Sequence, residues 1–152
     1  MKVAKTDVKN DKGEAVSLVK FTDIYKDTHV YYQVTSDSVK EDIVLVNNTA
    51  PQVLEVALTA VNTEYKQDEQ KNIYFEKDGK KVFALAPMFM KDANNETSKD
   101  ITLKLDYLKK GDNGENIYKV TITPSKDWLN APARKFPVTL DPTVLFSDLN
   151  FY

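Results

Sequence analysis

The sequence predicts an all-β fold: an antiparallel β-sandwich or open barrel, with one short helix near residues 125–130. Three observations lead there. Short runs of β-branched and aromatic residues recur along the chain, and turn residues separate them at intervals of about ten residues. Within the runs, apolar and polar side chains alternate with the two-residue period of half-buried strands. No strand–helix–strand spacing interrupts the pattern.

Taken in order, residues 1–16 are polar, with the turn "NDKGE" inside them, and read as a lead-in or an edge hairpin. The β-sandwich domain is expected over residues 17–143. "SLVKF" begins it, and "HVYYQV" and "SVKEDIVLV" follow as a pair around the turn "TSD". In that pair Val30, Tyr32 and Val34 share one face, and Ile43 and Leu45 share a face of the partner. "VLEVALTAV" reads as a strand because its β-branched residues disfavour a helix. The polar stretch 62–72 reads as a loop or a short exposed helix. "IYFEKDGKKVFAL" is a hairpin, since Asp78-Gly79 supplies the positive φ of a tight turn. The polar run 91–100 is a surface loop, and "ITLKLDYL" with "IYKVTIT" makes another hairpin. Ser125 can cap a short helix that Pro132 ends. "FPVTL" closes the domain, its prolines suiting an edge strand and its exit. Residues 144–152 then form an exit segment toward a following domain, or a final strand.

Composition bounds the chemistry. The chain has 152 residues with 21 basic and 23 acidic side chains, a net charge of -2, no Cys and a single His. That excludes disulfides, cysteine nucleophiles and multi-histidine metal centres. The balanced charge supplies no field that favours nucleic acid, and no nucleic-acid partner is expected. No apolar stretch is long enough for a membrane span. The first residues carry Lys but no apolar core of a signal peptide.

Several residues are candidates for a site. His29 is the one possible imidazole base. Asp23, Asp27, Glu41 and Asp42 are candidate paired carboxylates of a glycan hydrolase. Tyr25, Tyr31 and Tyr74 are candidate ligand-binding rings for sugar stacking. Asp92, Asn94 and Asp100 are the best Ca²⁺ ligands in the oxygen-rich loop, although they lack EF-hand spacing. No other cofactor is expected. Trp128 is a candidate core anchor, and Arg134 a candidate partner of Glu41 or Asp141.

Three segments carry a resemblance: "YKDTHVYYQVTSDSVKEDIVLVN" (25–47), "FALAPMFMKDANNETSKDITLKL" (83–105) and "YKVTITPSKDWLNAPARKFPVTLDPTV" (118–144). In this order they resemble a β-rich module that precedes DNRLRE-type domains in Gram-positive wall-associated and RHS (YD-repeat) surface proteins. Phe136 stands where that family usually has Tyr. The resemblance implies an extracellular or cell-wall location and neighbouring domains of the same polypeptide as partners. It also implies no assigned catalysis, so the expected function is a non-enzymatic structural or adhesion module of a larger surface or toxin-delivery protein. The alternative is a carbohydrate-binding module acting on cell-wall glycan.

Overall fold

The computed structural model describes the backbone of residues 2–9, 15–34, 38–141 and 143–146, and the side chains of 25–33 and 40–141. The fold is all-β and antiparallel, with one short helix. The chain begins with β1 (Lys2–Lys9), β2 (Ala15–Tyr25), β3 (Thr28–Val34) and β4 (Ser38–Leu45), each paired to the next. Then come β5 (Leu54–Ala60), β6 (Glu64–Gln67), β7 (Ile73–Lys77), β8 (Lys80–Leu85), β9 (Phe89–Lys91) and β10 (Thr97–Ser98). β11 (Ile101–Lys110), β12 (Asn116–Pro124), α1 (Lys126–Leu129), β13 (Val138–Asp141) and β14 (Thr143–Phe146) complete the order.

Two sheets result. The larger runs β1-β2-β3-β4-β14-β8-β7-β6, with β13 lying between β4 and β9, and β10 beside β9. The smaller is β11-β12-β5. Alternation decides what lies between them. Val30, Ile43, Leu45, Met90, Val138 and Leu140 of the large sheet meet Leu54, Val120 and Ile122 of the small one. Each such fully buried side chain contributes roughly 1.5–3 kcal/mol relative to exposure. Leu129 of α1 plugs the same core. A second cluster joins Phe75 and Ile73 of β7 to Tyr118 and Ala60 of the small sheet.

Local signals act as expected where they are strongest. Asp78 and Gly79 adopt φ of 51° and 74°, so β7 turns into β8 in two residues, pairing Lys77 with Lys80. The Ser125 hydroxyl accepts a hydrogen bond from the Trp128 amide at 3.3 Å, capping α1.

Three readings need correction. The "FPVTL" strand is not an edge. β13 is flanked by β4 and β9, and β14 by β4 and β8. Pro137 stands just before β13, where the ladder demands no donor, and Pro142 lies outside the described residues. Residues 62–72 contain β6 and a turn closed by the Asp68 amide on the Asn72 carbonyl, rather than a plain loop or helix. The run 91–100 carries β10 and a buried residue, Asp92, 3% exposed. Residues 1–16 contain β1, which stands at the margin of the large sheet and is hydrogen-bonded along its length to β2, in agreement with the edge-hairpin alternative. Of residues 144–152, read as an exit segment or a final strand, 144–146 belong to the strand β14, and 147–152 lie outside the described residues.

Candidate functional site

The most elaborate polar constellation lies where β9 ends and the chain leaves α1. β13 pairs with β9 so that Thr139 faces Lys91, which draws residues 134 and 135 against Asp92. The Asp92 side chain is fully buried. Its Oδ1 accepts from the amides of Asn94 (2.9 Å) and Glu96 (3.0 Å). Its Oδ2 accepts from Arg134 Nη1 (2.9 Å) and the Lys135 amide (3.2 Å). Burial pushes this carboxyl's pKa up, but the Lys135 and Glu96 amides, Arg134 and the Asn94 amide outweigh it and hold the group below the ordinary Asp range. Arg134 also donates from Nε to the Trp128 carbonyl at 2.9 Å, and its guanidinium lies 3.4 Å from the centre of the Trp128 ring. The buried Asp92 and the half-buried Arg134 and Trp128 thus form one lock between the loop after β9 and the segment from α1 to residue 134.

This geometry settles what Asp92 does. Four donors occupy the four lone-pair positions of a carboxylate, leaving none aimed at a cation. Asn94 contributes its backbone amide to the same turn. Asp100 is exposed; its amide donates to Ser98 Oγ, and its carbonyl accepts the Ser125 amide. Among the described residues no three His, Asp or Glu side chains are grouped to hold a metal ion. The pairing of Arg134 is likewise corrected: its partner is Asp92, not Glu41 or Asp141.

A second cluster sits on β4. Lys40 and Asp42 point to the outer face and approach to 3.3 Å, and Lys40 reaches Asp141 of β13 at 3.6 Å. Burial lowers the Lys40 pKa, but the two carboxylates outweigh it and hold the ammonium above its usual range. Burial raises the pKa of Asp42, against the pull of Lys40. Glu41 points the other way, on the core face beside Ile43, and accepts from the Tyr32 hydroxyl at 3.2 Å. Burial raises the Glu41 carboxyl more than that hydrogen bond lowers it, and burial with the Glu41 charge lifts the Tyr32 phenol to about 12. Adjacent strand residues face opposite sides, so Glu41 and Asp42 do not act as a catalytic pair. Asp27 serves the β2–β3 turn with φ of 51° and accepts from the Thr49 hydroxyl. The side chain of Asp23 lies outside the described residues.

Glu41 carries a pH prediction. A carboxyl whose pKa is raised by folding favours the fold below its unfolded pKa and loses that contribution as pH rises through the folded value. Glu41→Gln keeps an acceptor for Tyr32 but removes the buried charge. It is expected to raise Tm by about 2–4 °C at neutral pH, with the gap closing as pH falls toward about 4. Thermal melts across pH check this, and a gap that stays constant with pH rules it out.

The three candidate tyrosines do not form a platform. Tyr25 donates to the Glu55 carbonyl of β5 at 2.6 Å, tying the two sheets together. Tyr31 is half-buried on the outer face of β3, and Tyr74 is half-buried on β7 under the Lys81 ammonium, 4.4 Å from the ring centre. β4, β14 and β8 separate β3 from β7, which at ~4.8 Å per strand puts the two rings roughly 19 Å apart. A more exposed ring than any of these is Tyr107 on β11, at 55%. His29 lies on the outer face of β3 opposite Val44, and its buried Nδ1 has no hydrogen-bond partner among the described residues.

No protein-family model matches the chain, and no solved structure matches it. Three curated proteins do. The chain is 27% identical over 143 residues to the tRNA nuclease WapA of Bacillus subtilis. It is 29% identical over 147 residues to the tRNA(Glu)-specific nuclease WapA of Bacillus subtilis subsp. natto. It is 28% identical over 147 residues to the tRNA3(Ser)-specific nuclease WapA of Bacillus spizizenii. Each match covers 93% of this chain and 6% of the relative, so the chain spans a small part of those proteins.

These names overturn the functional expectation drawn from the sequence. The relatives are nucleases, where the sequence pointed to a non-enzymatic adhesion module or a carbohydrate-binding module. They are named for tRNA, where the balanced charge led to no expectation of nucleic acid. The physical reason is one of scale. A chain that matches 6% of its relatives' length does not report the charge or chemistry of the rest of those proteins. No helix among the described residues is long and apolar enough to cross a membrane.

Proposed function

We propose that this chain is a segment of a longer polypeptide that acts as a nuclease on tRNA. The observation that carries the reading is the similarity to three WapA nucleases along 93% of the chain, both sheets included. The resemblance to modules of Gram-positive wall-associated and RHS proteins, ahead of a DNRLRE-type domain, adds a location outside the producing cell. Neighbouring segments of the same polypeptide are then its immediate partners. The lock of Asp92, Arg134 and Trp128 fits that setting, because it makes two loops hold one geometry.

The test is tRNA cleavage by the full-length protein that carries this chain, incubated with total tRNA and resolved on a denaturing gel. Discrete cleavage products are expected. Intact tRNA, under conditions where a WapA relative cleaves it, overturns the proposal.

A further inference from the structure

We infer that the chain pairs with a second copy of itself along β11, joining the two small sheets into one six-stranded sheet across a two-fold axis. Three observations converge on this strand. First, β11 is ten residues long and at the margin of its sheet, and among the described residues only β12 pairs with it. An unpaired strand of this length presents a row of amides and carbonyls to any extended partner. The opposite margin is engaged differently, since the Glu55 carbonyl of β5 accepts the Tyr25 hydroxyl.

Second, the sequence of β11 is self-complementary about Leu105. Antiparallel pairing centred there sets Leu105 against Leu105, Leu103 against Tyr107, and Lys104 against Asp106 of the other copy. Lys104 and Asp106 share the outer face, 3.1 Å apart within one chain. In the pair they form a ring of four alternating charges. Moving the axis by one residue sets Lys104 on Lys104 or Asp106 on Asp106, so the charges select one register. Third, the inner side of the strand is already apolar. Leu103 and Leu105 pack on the core, while Tyr107 remains 55% exposed. Pairing covers Tyr107 with Leu103 of the second copy. The ladder to β12 is regular from Ile101 to Tyr107 and shifts only after Tyr107, so the proposed contact uses the unbulged part. The interface is isologous, as closed two-fold dimers require.

The experiment is sedimentation equilibrium of the 152-residue chain and three variants. The native chain is expected to dimerise with a dissociation constant in the micromolar range. Lys104→Asp sets Asp against Asp106, and Asp106→Lys sets Lys against Lys104. Each is expected to weaken the dimer at least about tenfold. The double variant, Lys104→Asp with Asp106→Lys, restores complementarity and is expected to recover the dimer. Lys104 is 73% exposed and Asp106 38%, and circular dichroism checks that each variant keeps the fold. A native chain that stays monomeric at millimolar concentration overturns the inference. So does a dimer indifferent to the single reversals, or a double variant that stays as weak as they are.

Discussion

Arg134→Ala is expected to lower Tm by on the order of 10 °C, and Arg134→Lys to recover little of it. The guanidinium does three things at once: it donates to Asp92, donates to the Trp128 carbonyl and lies flat on the Trp128 ring. Truncation leaves the Asp92 carboxylate buried without its counter-charge, and removing one partner of a buried pair is far costlier than the pair is worth. Lysine offers a point charge that neither stacks nor forks. The loss also has a pH signature. Folding holds the Asp92 pKa below its ordinary value, so its contribution is present above the unfolded Asp pKa and is lost as pH falls through the folded one. In Arg134→Ala that acid dependence shrinks. Thermal melts between about pH 3 and pH 7 check both statements, and a variant melting within about 2 °C of the native chain refutes them.

The second large effect falls in the other core. Phe75 is 0% exposed. It stacks on Phe83 at 4.4 Å, meets Tyr118 edge-on at 5.7 Å and touches Tyr65 at 6.0 Å. Phe75→Ala removes a ring that three others surround, and strands paired along their length cannot collapse into the space. The expected cost is about 3–5 kcal/mol. Urea unfolding reads this as a fall in midpoint of roughly 2 M at unchanged slope. A shift below about 0.5 M would mean the cluster closes around the void.

Both predictions rest on contacts that the sequence indicates only in part. Phe75 lies in an alternating run, so its burial is legible. Which rings meet it is not, since Tyr118 comes from the other sheet. Arg134 stands out as the only Arg, yet its partner is 42 residues away, in a loop that composition assigns to the surface. The oxygen-rich residues of that loop suggest Ca²⁺, while the structure uses Asp92 to bind its own amides and Arg134. Sequence places donors and acceptors in a segment; it does not say which of them turn inward. The candidate tyrosines fail together for a related reason. Tyr31 and Tyr74 both face outward, but the strand order sets them apart.

Function was the least legible. The residues contain the instructions for a β-fold, and the activity named for the relatives belongs to proteins far longer than this chain. What the relatives' names overturn is the expectation of no catalysis that accompanied the resemblance, since a fold does not by itself specify chemistry.

Period-two alternation, the Asp78-Gly79 turn and the Ser125 cap follow from backbone geometry over a few residues, and the sequence alone determined them. Strand order was decided only in three dimensions. β13 and β14 insert between strands formed long before them in the chain, and β13 sits against β4 almost a hundred residues earlier. Alternation assigns each strand a dry side without naming a neighbour. Neighbours are chosen by how the dry sides can all be covered at once, and that is a property of the whole chain.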